Sequence, residues 1–249
     1  MLFAIALSPH TGAADTGKIT VYAAGSLREA FEAAGPAFTK KTGIAVTYNF
    51  GGSDMLATQI KEGAPADVFA SANTIQMNLI TDAGLVDGLP KVFARNRIVL
   101  IIPKSNPRHI HNLTGLINPG TKVVLAEPLE PVGIYAREAF KKLSGHGYPP
   151  NFAAAIERNV VSNEINEKAV AAKISLGEGD AGVVYSTDIT PDVDSRVTVI
   201  PFPDGVTPEI TYPIAALKNA QNVPAARKFV DFVLGEGTSF LKARGFLRP

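Results

Sequence analysis

Three short stretches of this chain place small residues where a strand gives way to a helix. Ala23-Ala24-Gly25-Ser26 precedes the helical run through Leu27, Gly51-Gly52-Ser53 precedes the run through Met55, and Pro131-Val132-Gly133 opens a third. The first N–H groups of a helix lack intrahelical partners and sit at the positive end of the helix dipole, so such openings bind an oxyanion with neutral donors alone. Ser26 and Ser53 each add a hydroxyl. Either serine could instead cap its own helix. The recurrence of the pattern at strand C-terminal ends, where open α/β sheets hold their ligands, shifts the balance toward binding.

Composition narrows the ligand. The 249 residues are 46% hydrophobic and carry 24 Lys+Arg against 23 Asp+Glu, a net charge of +1, with no basic block. That excludes disorder and leaves no positive field for nucleic acid, so the partner is small. With zero Cys there is no disulfide, thiolate nucleophile, cysteine-borne lipid anchor or Cys-based metal site. Of the four histidines, His109 and His111 fall in the polar run 106–112, which reads as a solvated loop without a third metal ligand nearby. Gly177-Glu-Gly-Asp-Ala-Gly182 has the spacing of a dinucleotide fingerprint, but it follows a helix and precedes a strand, the reverse of what that chemistry needs. Gly51-Gly-Ser-Asp-Met55 lacks the fifth-place glycine of a nucleophile elbow and no histidine stands in a convincing motif, so a serine hydrolase using Ser53 is the disfavoured alternative. No enzyme activity and no cofactor are expected.

The elements that must position these openings alternate between β-rich runs and helical periodicity, the pattern of βαβ units and of an α/β class with mostly parallel sheets. Strands are expected at Lys18–Ala23, Ile44–Phe50, Ala66–Ser71, Arg97–Ile102, Lys122–Ala126, Val160–Val161, Ala181–Tyr185, Val197–Phe202 and Ile210–Ala216. Helices are expected through Leu27–Phe38, Asp54–Glu62, Ile75–Ala83, Gly133–Leu143, Asn166–Leu176, Ala225–Leu234 and Ser239–Arg244. If the tail returns to the first sheet, residues 18–98 and 212–249 form one lobe and 99–211 the other, with a cleft between them. Residues 1–17 remain as a tail. Leu2–Leu7 and Gly12-Ala13-Ala14 look like the stump of an export signal without its basic segment, an N-terminal strand being the alternative. No other apolar stretch approaches the ~20 residues of a membrane span.

Ile19-Thr-Val-Tyr-Ala-Ala-Gly-Ser-Leu27, Phe50-Gly-Gly-Ser-Asp-Met-Leu-Ala57, Gly63-Ala-Pro-Ala-Asp-Val-Phe-Ala-Ser-Ala72, Pro131-Val-Gly-Ile-Tyr-Ala-Arg-Glu-Ala139, Gly177–Asp188 and Phe240–Phe246 resemble, in order over residues 18–247, the periplasmic molybdate-binding proteins of ABC transporters. The resemblance implies the two-lobed type II periplasmic-binding-protein fold and a receptor that delivers molybdate, and usually tungstate, to a membrane permease. With the export-signal reading, the lack of other long apolar stretches and the absence of Cys, the mature protein is expected to be soluble, exported and without a lipid anchor, and to be a monomer. Carried over by motif, the anion would meet Ser26 and Ser53 through hydroxyl and N–H, the N–H groups of Val132 and of Glu167, and the hydroxyl of Tyr185. Five or so such bonds at about 1.5–3 kcal/mol each match or exceed the ~8 kcal/mol of micromolar binding. Position 167 is commonly apolar in the bacterial proteins. Here it is Glu, eighteen residues before Tyr185, a spacing similar to the archaeal subgroup in which acidic residues join the metal's coordination shell, and Glu130 falls near that subgroup's second acid. Glu130 and Glu167 are therefore either direct ligands of molybdenum or tungsten, or a loop charge and a first-turn residue facing solvent. The competing ligand is another tetrahedral oxyanion such as sulfate.

Overall fold

The computed structural model describes residues 17–249; the expected signal segment lies outside the described residues. In chain order the elements are β1 (Lys18–Ala24), α1 (Arg28–Thr42), β2 (Ala45–Gly51), α2 (Ser53–Lys61), β3 (Val68–Ala70), α3 (Thr74–Asp82), β4 (Lys91–Asn96) and β5 (Ile98–Pro103). There follow β6 (Val123–Ala126), α4 (Pro131–Leu143), α5 (Phe152–Asn159), β7 (Val160–Glu164), α6 (Glu167–Ser175), β8 (Ala181–Tyr185), α7 (Pro191–Arg196) and β9 (Val197–Pro201). The chain ends with β10 (Ile210–Ala216), α8 (Val223–Leu234) and α9 (Thr238–Ala243).

These strands form two five-stranded sheets, ordered β2-β1-β3-β10-β4 and β7-β6-β8-β5-β9. In each, four strands run the same way and one, β10 or β5, runs antiparallel between the third and the last of them. The architecture is the α/β, two-lobed type II periplasmic-binding-protein fold. The chain crosses from the first sheet to the second at Arg97, the one residue between β4 and β5, and returns between β9 and β10.

Why the elements sit where they do is largely local. Ala30, Phe31, Ala34 and Phe38 make one buried stripe on α1, and Gly43 ends that helix at φ 75, a left-handed turn that a side chain would strain. Phe229 of α8 meets Phe31 and Phe38 edge to face at 5.7 and 5.2 Å, which brings the C-terminal helix back onto the first sheet.

Three elements are absent from the sequence reading: β4, α5 and α7. In β4 the sequence Lys-Val-Phe-Ala-Arg-Asn does not alternate cleanly, and the partner ladder from β10 makes it a strand. Helix α5 buries only Phe152 and Ile156, one turn apart among alanines, and α7 buries nothing.

The parallel strands set up the site. The C-terminal ends of β1, β2 and β3 lie along one edge of the first sheet and lead into α1, α2 and α3. The ends of β6, β7 and β8 lead likewise into α4, α6 and a 3-10 turn at Ser186–Asp188.

Candidate binding site between the two sheets

On the first-sheet side, Ser26 sits in a 3-10 turn, Gly25–Leu27, between β1 and α1, and Ser53 is the first residue of α2. Both are buried, and neither side chain caps its own helix. The Ser26 hydroxyl lies 3.0 Å from the Tyr212 hydroxyl. The Ser53 oxygen accepts the Ala72 N–H at 3.0 Å, which leaves the serine proton to donate elsewhere. The capping alternative for these serines is thereby replaced by one in which each hydroxyl is held by a distant part of the chain.

The second-sheet side departs from expectation. The Val132 N–H is paired: Oε2 of Glu130 accepts it at 2.7 Å and the Gly133 N–H at 3.3 Å. Glu130 precedes a proline, which holds it extended at φ −71 and ψ 138, and from there its carboxyl folds back over the first turn of α4. Only glycine fits next, because a Cβ on Gly133 would stand 2.1 Å from the Glu127 carbonyl oxygen.

Nor are the two acids solvent-facing. Glu130 and Glu167 are each 1% exposed. Asn166 caps α6 by accepting the Ala169 N–H at 2.9 Å, so Glu167 opens the helix with its side chain turned inward. Its Oε1 and the Tyr185 hydroxyl are both buried without a hydrogen-bond partner. Two orphaned polar atoms in one protein interior mark a place where a partner belongs.

The two sides meet here. A Cβ on Gly25 would lie 2.6 Å from Glu167 Oε1, and one on Gly52 would lie 2.9 Å from the Ile165 carbonyl oxygen and 3.6 Å from Cγ of Glu130. Gln76 Nε2 donates across to the Leu129 carbonyl at 3.1 Å. Lys168 pairs with both carboxylate oxygens of Glu29 at 3.0 Å, and with Asp188 at 3.4 Å. Asp188 in turn accepts the Tyr185 N–H at 2.9 Å. Ser26, Ser53, Glu130, Glu167 and Tyr185, scattered over 160 positions of sequence, therefore belong to one region.

Burial, reinforced by the Asp188 charge, pushes the Glu167 carboxyl up to about 8, so it carries its proton at neutral pH. Burial and the neighbouring Glu167 raise Glu130 well above the usual carboxylate range despite its two backbone donors. Asp188 rises to about 6 through burial, opposed by Lys168, and burial also raises the Tyr185 phenol. The region thus offers hydroxyl and carboxyl O–H donors in a low-dielectric setting. Among the described residues no group of three or more His, Cys, Asp or Glu could hold a metal ion.

Tyr212, Asn96, Lys168 and Asp188 escape a reading of the sequence, because what each does depends on partners far away in the chain: Tyr212 and Asn96 sit in strands, Lys168 in the first turn of α6 and Asp188 in a 3-10 turn.

Residues 19–247 match the profile of the bacterial extracellular solute-binding proteins. The chain is 37% identical over 246 residues to the molybdate-binding protein ModA of Mycobacterium tuberculosis, covering 98% of this chain and 90% of that relative. It is 31% identical over 242 residues to the molybdate-binding protein ModA of Escherichia coli, covering 94% and 90%. The solved Azotobacter vinelandii periplasmic molybdate-binding protein superposes with a TM-score of 0.76 at 22% identity, over 93% of this chain and 99% of that one, a likeness of fold.

Proposed function

Since the chain belongs to the bacterial extracellular solute-binding protein family, we propose that it is the molybdate receptor of an ABC transporter, taking tungstate as well, and that it works outside the cytoplasm and hands its cargo to a membrane permease. The observation that carries this reading is the 37% identity to a molybdate-binding protein sustained over 98% of the chain. The geometry supports it in that Gly25 and Gly52, beside Ser26 and Ser53, stand against Glu167, Ile165 and Glu130, while Glu167 Oε1 and the Tyr185 hydroxyl are buried without a partner. Among the described residues no helix is long and apolar enough to cross a membrane.

In this reading the hydroxyls donate to the oxygens of the anion. Glu167 and Glu130 face the dianion either as acids, donating their protons, or as ligands of molybdenum itself; a bare carboxylate aimed at the oxygens would repel them. For Val132 to donate to the cargo, Glu130 must first turn away from the α4 N-terminus, where its oxygen occupies the place of an anion oxygen. Ser53, whose oxygen is held by the Ala72 N–H, serves as a donor and not as a nucleophile.

Calorimetric titration with sodium molybdate, tungstate, sulfate and phosphate tests the proposal. Molybdate and tungstate are expected to bind at about micromolar strength or better, with sulfate at least ~100-fold weaker because its shorter bonds leave the donors slack. Equal binding of sulfate would make this a receptor for that anion, and no binding of any of the four would overturn the assignment.

A further inference from the structure

Tyr212 and Asn96 lie outside the set of residues proposed to touch the ligand, yet they determine which way a ligand-facing proton points. We propose that they are positioning residues: a one-way hydrogen-bond relay that starts at the crossover between the sheets and ends by releasing the Ser26 proton toward the bound anion. The inference rests on the molybdate reading of the site and adds residues to it.

The direction of each step follows from the donors present. The N–H of Arg97 is a donor only, and it gives its hydrogen to Oδ1 of Asn96 at 2.8 Å. That bond fixes the orientation of the Asn96 amide, so Nδ2 must face the other way. There Nδ2 donates to the Tyr212 hydroxyl oxygen at 3.1 Å and to Oγ1 of Thr187 at 2.9 Å. The Ser186 hydroxyl donates to the second lone pair of Oδ1 at 3.1 Å, so every polar position of this buried amide is in use. The Tyr212 oxygen, already accepting, keeps one proton, and Ser26 Oγ at 3.0 Å is its partner. A phenol is a stronger acid than an aliphatic alcohol, so Tyr212 donates and Ser26 accepts. The Ser26 proton is then left to point away from Tyr212, and a ligand with acceptors only is what satisfies it.

The relay also joins the halves of the molecule. Arg97 is the crossing residue, Asn96 ends β4, Tyr212 lies in β10 of the first sheet, and Ser186 and Thr187 follow Tyr185 out of the second. One amide therefore ties the crossover to the segment after Tyr185 and, through Tyr212, to Ser26. Tyr212 is fully buried, packed edge to face on Phe93, Tyr185 and Phe246. Its hydroxyl can be removed with little loss of packing by Tyr212→Phe.

The test is a double-mutant cycle read by calorimetric molybdate titration, with thermal unfolding of the unliganded proteins alongside. Ser26→Ala is expected to weaken molybdate binding ~10-fold or more, and Tyr212→Phe about 5- to 10-fold. In the Ser26→Ala background Tyr212→Phe should cost almost nothing further, since its effect passes through the serine. A purely structural role would give additive losses and would overturn the relay. If Ser26→Ala itself leaves affinity unchanged, the relay falls together with the serine's assignment to the site. Asn96→Asp provides the second arm. It keeps the bonds from Arg97 and Ser186 but turns a donor to Tyr212 into an acceptor that draws the phenol proton away from Ser26. Its loss of affinity should likewise vanish in the Ser26→Ala background, and a loss that persists there would count against the relay.

Discussion

The helix openings of the two lobes begin from the same local recipe and end with opposite chemistry. Around α1 and α2 the openings carry Gly25-Ser26 and Gly52-Ser53, whose hydroxyls bond the Tyr212 hydroxyl and the Ala72 N–H and cap nothing. Around α4 and α6 the openings carry Glu130 and Glu167; the first caps its own helix with a carboxyl oxygen, and the second buries an oxygen without a partner. In the proposed function the first lobe supplies hydroxyl donors to the anion. The second presents groups that imitate one, or that must be protonated to accept one. A helix N-terminus is therefore not by itself an anion site; the residue just before it decides whether its N–H groups are free.

The strongest test of this contrast uses the glycines, because they allow the two kinds of opening to approach. Gly52→Ala would thrust a Cβ against the backbone oxygen of Ile165, which cannot swing aside, whereas Gly25→Ala meets the end of the Glu167 side chain, which can. Molybdate affinity, measured by calorimetry, should fall ~10-fold or more for Gly52→Ala and about 3-fold for Gly25→Ala, with thermal stability nearly unchanged in both. The reverse order would mean that the lobes do not close as the structure has them.

Next in size is the pH response of the acid-bearing side. Glu167 titrates at about 8 when folded against an ordinary 4.5, and Asp188 at about 6 against 3.8. Between the two values of each residue the folded protein holds a proton that the unfolded chain has lost. The stabilisation is thus complete below the ordinary value and lost as pH rises through the folded one. Thermal melts of the unliganded protein should show Tm falling by roughly 5 °C or more from pH 5 to 8, and Glu167→Gln should flatten part of that slope. A slope unchanged by Glu167→Gln would place the titration elsewhere.

The smallest effect belongs to the ion pair that bridges the two kinds of opening. Lys168 follows Glu167, Glu29 stands three residues after Ser26, and their side chains are 27% and 28% exposed. Lys168→Met should weaken molybdate binding about 2-fold at low salt and make the affinity less sensitive to added NaCl. Isothermal titrations at two ionic strengths would show it, and an undiminished salt response would remove the pair from closure.

Much of the fold is legible along the chain, because strands and helices announce themselves within a few residues. The stripe Leu27, Phe31, Ala34, Phe38, the glycine stops, the small residues ahead of α1 and α2, and the Pro131-Val132-Gly133 start of α4 all follow from spacings that secondary structure repeats. The serines are legible as candidates for the same reason, whereas Tyr185 is a candidate only through the family resemblance. The fates of Glu130 and Glu167 are not, since a carboxylate at the start of a helix is at home in water, and only packing of one lobe on the other takes the water away. Tyr212 and Asn96 are the extreme case. The contact between Ser26 and Tyr212 joins residues 186 positions apart, and that between Asn96 and Tyr212 joins residues 116 apart. Local periodicity says where a side chain leaves its own element. Which distant side chain it meets depends on strand order and register, and those exist only once the sheets have formed.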